Sequence, residues 1–243
     1  MMNNINKIGI SSKNLKVSLR KSITDLDGFF NIELNRRITF FPFSAKTKDF
    51  FTKNSGFLYS IHSDIARLTD EGEFAKINYD ILHNEIILCS MFNIKHLIFH
   101  AKHSKKTNEL IRKLSEFAKT KNVQLCLENN ILSSIDELED AFNTNPDLKM
   151  NLDIGHLNVL LHKKSNITIE DYLKKLKDKI IYLHIHDNDG KSDEHLALSD
   201  GNVDYRKIFS LLDFNKVERI VVETDKMENA IKTKEILIEY FKK

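Results

Sequence analysis

Between Ile180 and Asp204 the chain passes from an apolar run into a concentration of groups that bind divalent metals. Ile180 to Leu183 reads as a buried strand, and His184, His186, Asp187, Asp189, Asp193, Glu194 and His195 follow in quick succession. Imidazole nitrogens and carboxylate oxygens are the ligands of zinc, manganese and magnesium centres. Other apolar runs end on the same residue types: His62 after Phe57–Ile61, His100 after Lys95–Phe99, Glu128 after Val123–Leu127, Asp153 after Leu148–Leu152 and Glu223 after Arg219–Val222. Taken singly, each has an ordinary explanation. A strand-end histidine is usually solvated or hydrogen-bonded, Glu128 or Glu223 could simply terminate a strand, Asp153 could be a cap, and His156 could sit in the following loop. Taken jointly, they describe a ring of imidazoles and carboxylates. Such a ring repels itself when empty and is neutralised by a divalent cation.

For these residues to meet, the runs that carry them must be parallel strands. Apolar runs near residues 5–10, 28–34, 57–61, 95–99, 123–127, 148–152, 180–183 and 219–222 read as strands. Helical spacing over 14–23, 73–92, 106–119, 169–176, 205–212 and 229–241 separates most of them. A short helix through Phe50 and Phe51 is expected after an irregular connection near Pro42. Ser134 followed by Glu137 is a capping-box helix start. Strand alternating with helix implies a parallel sheet, and strand ends recur at the roughly 30-residue spacing of βα units. No glycine-rich phosphate loop follows the first strand, so a closed barrel is favoured over an open dinucleotide-binding sheet. The fold class expected is α/β, a single (β/α)8 barrel. Strand C-termini open onto one mouth of such a barrel, where its active sites form. Glu33 also ends a strand, but Asn35, Arg36 and Arg37 beside it suit a local salt bridge equally well. His83, His96, His103 and His162 fall on helices or loops and read as structural or surface residues.

Composition supports this frame. The chain has 243 residues, close to the ~250 of a barrel. With 2 Pro and 7 Gly there is little material for a linker, so residues 1–243 read as one domain. A net charge of +2 is too small to argue for capture of nucleic acid or a membrane surface. The polar residues Met1 to Lys7 give no signal peptide, and no apolar run is long enough to span a bilayer. Cys89 and Cys126 lie in apolar stretches without metal-type spacing and read as reduced core thiols of a cytoplasmic protein.

Three motifs carry a family resemblance: Asp153-Ile-Gly-His156, Leu127-Glu128-Asn129, and the His186-Asp-Asn-Asp-Gly-Lys-Ser-Asp-Glu-His195-Leu string with its following Gly201 turn and Val203-Asp204-Tyr205. With these, the chain resembles the xylose isomerase-like barrel superfamily, which holds sugar phosphate isomerases and epimerases and also endonuclease IV (AP endonuclease family 2). The resemblance implies one of two sites. In the sugar enzymes a single Mn, Mg or Zn ion is held by residues matching Glu128, Asp153, His184 and Glu223. The two glutamates shuttle a proton beside a carbonyl, and His156, His186 and Lys191 are the expected substrate contacts. In endonuclease IV three zinc ions are held, and the additional ligands match His62, His100, His156, Asp193 and His195. All are present. Two departures stand out. The endonuclease follows its first ligand histidine with Ala-Pro-Tyr, whereas Ser63-Asp64-Ile65 follows His62 here. The epimerases carry an arginine soon after the seventh-strand histidine, where this chain has only Lys191. A small sugar or sugar phosphate is therefore the expected partner, and nucleic acid is the disfavoured one.

Overall fold

In the computed structural model, residues 2–12, 29, 31–35, 45–63, 67–164 and 166–242 are described. The strands β1 (Ile8–Ser11), β2 (Asn31–Asn35), β3 (Leu58–His62), β4 (His96–Phe99), β5 (Gln124–Glu128), β6 (Lys149–Asp153), β7 (Ile180–Ile185) and β8 (Arg219–Val222) close into one barrel in sequence order. Every neighbouring pair is parallel, including β1 with β8. The helices are α1 (Met2–Ile5), α2 (Ala45–Lys53), α3 (Ala75–Met91), α4 (Lys105–Thr120), α5 (Ile135–Thr144), α6 (Ile154–Lys163), α7 (Ile169–Leu176), α8 (Tyr205–Ser210) and α9 (Met227–Lys242). The (β/α)8 architecture is thus the one the alternating pattern implies. The helix expected over 14–23 lies outside the described residues, as does the segment around Pro42.

Alternation along the strands divides the apolar residues between two cores. One set, including Leu97, Leu125, Leu127, Leu152, Leu183 and Val222, faces outward into the layer beneath the helices. A smaller set, Ile98, Cys126, Ile181, Tyr182 and Val221, forms its own buried cluster with the barrel interior. Two residues further along their strands come His100, Glu128, His184 and Glu223, so the interior changes from apolar to ionisable as it approaches the C-terminal mouth. A register shift between Met150 and Asn151 pairs Met150 with Ile180 and Asn151 with Tyr182. It accommodates Ile181 as an extra residue and brings Tyr182 and His184 to the level of their neighbours.

Local signals fix the helix starts. Ser134 and Glu137 form the expected capping box. Two expectations change. His156 is in the first turn of α6 rather than in a loop, because Asp153 caps that helix by accepting from the His156 backbone N–H at 2.7 Å. His96 is the first residue of β4, fully buried at the N-terminal end of the barrel. There its Nε2 lies 3.1 Å from Glu218 Oε2, which also accepts from Lys95 Nζ at 2.5 Å. Cys89 and Cys126 are both buried free thiols, and burial holds the Cys126 thiol well above its usual range. No described helix is long and apolar enough to cross a membrane.

The His96 contact, followed by Lys95, holds the Glu218 carboxyl down at about 2. A carboxyl depressed in the native state stabilises it above the unfolded pKa of 4.5 and loses that contribution as pH falls towards 2. The Glu218→Gln variant should therefore unfold at lower urea than the native sequence at pH 6. The gap between their midpoints should close progressively from about pH 4.5 to about pH 2. A gap independent of pH would show that Glu218 acts through packing alone.

Candidate metal centre

The inward-facing end of each strand from β5 to β8 supplies one ionisable side chain: Glu128, Asp153, His184 and, one residue past β8, Glu223. Parallel pairing sets Asp153 beside His184 and Glu128 beside Asn151. His184 Nδ1 lies 2.9 Å from Glu223 Oε2, 3.2 Å from Glu128 Oε2 and 3.8 Å from Asp153 Oδ2. These residues are all essentially buried. Asn151 steadies the pair by donating to Glu128 Oε2 at 2.7 Å. Asn129 grips Asp153 at both backbone groups, at 2.9 Å each.

The remaining imidazoles flank this centre on two sides. Towards β3 and β4, His62 Nε2 and His100 Nε2 are 3.4 Å apart. They lie 3.7 Å and 3.6 Å from the two oxygens of Glu128. On the opposite side His156 Nε2 and His195 Nε2 converge on Asp193 Oδ2 at 3.2 Å and 3.0 Å. Each of these two rings has its other nitrogen on a main-chain carbonyl: His156 Nδ1 on Asn129 O at 2.9 Å, and His195 Nδ1 on Glu223 O at 2.6 Å. A carbonyl only accepts, so Nδ1 bears a proton and Nε2 is the nitrogen left to face Asp193, where it donates to the carboxylate while the centre is empty and can turn a lone pair to a cation that takes the proton's place. Metal-ligating histidines are oriented in this way.

The loop that carries Asp193 and His195 is tied down by Asp187. Its carboxylate accepts from the N–H groups of Asn188, Ser199 and Val203 at 2.8, 2.8 and 2.9 Å. His195 itself has φ of 52°, a left-handed backbone that a side-chain-bearing residue adopts only when its surroundings hold it there.

Electrostatics test whether these residues suit a cation. His184 Nδ1 is buried with no hydrogen-bond partner among the described residues. Its Nε2 faces Glu33 Oε2 at 2.9 Å. Burial disfavours charge on His184, but Glu33, Glu128 and Glu223 outweigh it and raise its pKa well above the usual histidine value. The same contest raises His156 to about 10, with Asp153 the main carboxylate acting against burial. His100, where burial prevails, falls to about 4. Opposing their own burial, the imidazoles drive Glu128, Asp153 and Asp193 below the ordinary carboxylate range. Without metal the cluster must keep protons between its carboxylates. A divalent ion can stand in their place, and the donor set of oxygen and imidazole nitrogen fits zinc or manganese. The sets Glu128–Asp153–His184, His62–His100–Glu128 and His186–Asp193–His195 each have ligand atoms within 4.8 Å of one another.

The structure thus brings together Glu128, Asp153, His156, His184, Glu223, His62, His100, Asp193 and His195. It places two others differently from the expected substrate contacts. His186 is fully buried and braces Asp153, with Nε2 3.0 and 3.1 Å from its two oxygens. Lys191 is at the surface, 3.7 Å from Asp189, with its side chain 86% exposed. Sequence reasoning undervalued Glu33, which is buried against His184 and Tyr182. The available signal was its place late in the 28–34 apolar run, like the other clustered residues at the ends of theirs, although it is the middle residue of β2. Arg36 and Arg37, which suggested a local salt bridge, lie outside the described residues.

A family model described as the xylose isomerase-like TIM barrel matches residues 45–243. A Methanocaldococcus jannaschii relative, uncharacterized protein MJ1614, is 28% identical over 163 residues, covering 60% of this chain and 62% of its own length. The chain therefore spans less than two thirds of that relative. Among solved structures, a D-tagatose 3-epimerase-like protein superposes with a TM-score of 0.79 at 20% identity, covering 97% of both chains. The TTHB071 protein of Thermus thermophilus, soaked with ZnCl2, superposes with a TM-score of 0.76 at 16% identity, covering 96% of this chain and 98% of its own.

Gly155 offers a test of how the centre is built. A Cβ at this position would fall 2.0 Å from His186 Cε1, and that ring is itself stacked on His195, with centroids 4.1 Å apart. Gly155→Ala must displace the ring that braces Asp153. Overpacking of this kind costs roughly 1–3 kcal/mol, which should appear as a lower urea midpoint for the metal-free protein. An unchanged midpoint would show that the packing around His186 is looser than described.

Proposed function

Because the chain belongs to the xylose isomerase-like TIM barrel family, we propose that it is a divalent-metal-dependent isomerase or epimerase of a small sugar or sugar phosphate. The observation that carries this reading is the placement of the Glu128 and Glu223 carboxylates against the same nitrogen of His184, with Asp153 alongside. These four residues would hold the ion, be it Mn, Mg or Zn. Its contribution would be to polarise a substrate carbonyl and offset the negative charge that develops on its oxygen.

The chain's own groups would move the proton. One glutamate accepts the proton on the carbon next to the carbonyl, and the other carries a proton to the opposite face or to the neighbouring carbon. Asn151 holds Glu128 in place for this exchange. His156, at the accessible edge of the cluster, would contact substrate hydroxyls. The sugar class is supported by the likeness to the D-tagatose 3-epimerase-like structure.

A second reading is favoured by one specific observation, the locked rings of His156 and His195 converging on Asp193. A proton shuttle does not need these residues, nor the His62–His100 pair. If all three ligand groups load, the centre suits a multi-zinc phosphoester hydrolase, in which a water attacks phosphorus and an alkoxide departs.

Two measurements distinguish the readings. In the sugar reading, Glu223→Gln abolishes exchange of the substrate's carbon-bound proton with solvent while the fold is retained. An undiminished exchange rate in that variant would remove Glu223 as acid or base. In the hydrolase reading, the purified protein holds close to three zinc per chain and nicks an abasic-site duplex in a chelator-sensitive manner. That result would sink the sugar proposal.

A further inference from the structure

We propose that Glu33 is the shared positioning residue of the metal centre: one buried carboxylate that fixes the imidazoles of both His184 and His62 from behind. The proposal rests on the metal-dependent reading above and deepens it. Glu33 comes from β2 and is fully buried. Its Oε2 lies 2.9 Å from His184 Nε2 and accepts from the Tyr182 hydroxyl at 2.8 Å. Its Oε1 lies 3.6 Å from His62 Nδ1, an ion-pair contact longer than a hydrogen bond, and neither of those atoms has a hydrogen-bond partner among the described residues. One carboxylate therefore faces one nitrogen on each of two rings.

The consequence follows from what a carboxylate can do. It accepts and does not donate, so the nitrogens facing it bear the protons. The opposite nitrogens are then the ones that can give up a proton and turn a lone pair to a cation. On His184 that is Nδ1, which points at Glu128, Asp153 and Glu223. On His62 it is Nε2, which points at His100 and Glu128. The two rings present different nitrogens to the mouth of the barrel, and one residue accounts for both choices. Without Glu33, the proton of His184 would be drawn to the three-carboxylate side, where it would block the position a cation needs.

Glu33 is itself held by a polar column inside the barrel. Tyr182 donates its only hydroxyl proton to Glu33, and Ser60 Oγ lies 2.7 Å from the Tyr182 oxygen and can donate to it. Ser60, Tyr182 and Glu33 come from β3, β7 and β2, at a level where Ile98, Cys126 and Val221 supply an apolar lining. A carboxylate in such surroundings is costly, and packing alone has no use for one.

The test is a Zn2+ titration of the metal-free protein against a chromophoric chelator, with imidazole 15N shifts of the zinc-loaded protein reporting which nitrogen of His184 and His62 is protonated. In Glu33→Gln the amide offers one acceptor and one donor. Whichever way it turns, one ring is forced into the opposite tautomer. We expect zinc affinity about 10–100-fold weaker and one ring's 15N pattern reversed, with far-UV circular dichroism unchanged. Wild-type affinity in Glu33→Gln overturns the proposal, as does weaker binding with both tautomers intact, which would mean that Glu33 acts by charge alone. If Glu33→Gln fails to fold, Tyr182→Phe decides. There the carboxylate stays but loses its hydroxyl donor, and a several-fold loss of affinity in a native fold supports the role, whereas no loss overturns it. If the wild-type protein binds no zinc or manganese, the metal-dependent reading fails first, a result distinct from any of these.

Discussion

The constraint on which the structure turns is the burial of several carboxylates side by side. Glu33, Glu128, Asp153 and Glu223 are all withdrawn from water at the C-terminal mouth of the barrel. Charges cannot remain there without compensation, because the cost of desolvating each is several kcal/mol. The chain answers with imidazoles threaded between them, so that nearly every carboxylate oxygen faces a ring nitrogen. Imidazole is the one side chain that can meet this demand in two ways. It can hold a proton when the centre is empty, or give up that proton and offer a lone pair when a cation arrives. Lysine or arginine would neutralise the carboxylates permanently and leave nothing for a metal to bind.

That requirement explains features of the fold that packing does not. The barrel interior is apolar at the level of Ile98, Cys126 and Val221, then turns ionisable a residue pair further on. The register shift at Met150 and Asn151 places an extra residue on β7, which puts His184 level with Asp153. The loop after β7 is organised by Asp187, whose side chain accepts from three backbone N–H groups of its own loop. The left-handed backbone at His195 is held by this clamp, and the ring is delivered onto the Glu223 carbonyl. Gly155 lacks a side chain where His186 must lie. Each of these local departures positions an ionisable side chain of the cluster.

The same logic separates what could be read in the sequence from what could not. Strands ending in His62, His100, Glu128, Asp153, His184 and Glu223 were legible because a parallel barrel sends all its strand ends to one place. Once the topology is inferred, proximity follows. Asp153 showed the limit of choosing between roles, since it is both a helix cap through Oδ1 and a member of the centre through Oδ2. The helix it begins, with His156 in its first turn, was missed because Ile154–Lys163 is buried along much of its length and lacks a clear polar stripe. Roles that depend on which way a ring faces were not legible. His186 and Lys191 are near neighbours in sequence, yet one is sealed behind Asp153 and the other points into solvent. Glu33 was ambiguous because an adjacent basic pair offered a simpler explanation, and only the course of β2 brings its carboxylate against His184 and Tyr182.

Access bears on the chemistry the centre can perform. Among the site residues the side chains with appreciable exposure are Asp193 at 29%, His100 at 19% and His156 at 13%. Glu128 and Glu223, the residues a proton shuttle needs, are almost fully enclosed. Among the described residues, the outer imidazoles are therefore nearer to solvent than the glutamates. In the isomerase reading the outer groups would contact a sugar's hydroxyls while Glu128 and Glu223 move the proton. In the hydrolase reading they are themselves the place of reaction, and the glutamates serve as ligands beneath it. The two readings thus differ in how deeply the substrate penetrates one and the same constellation, which is how closely similar ligand sets can support unlike reactions on a common barrel.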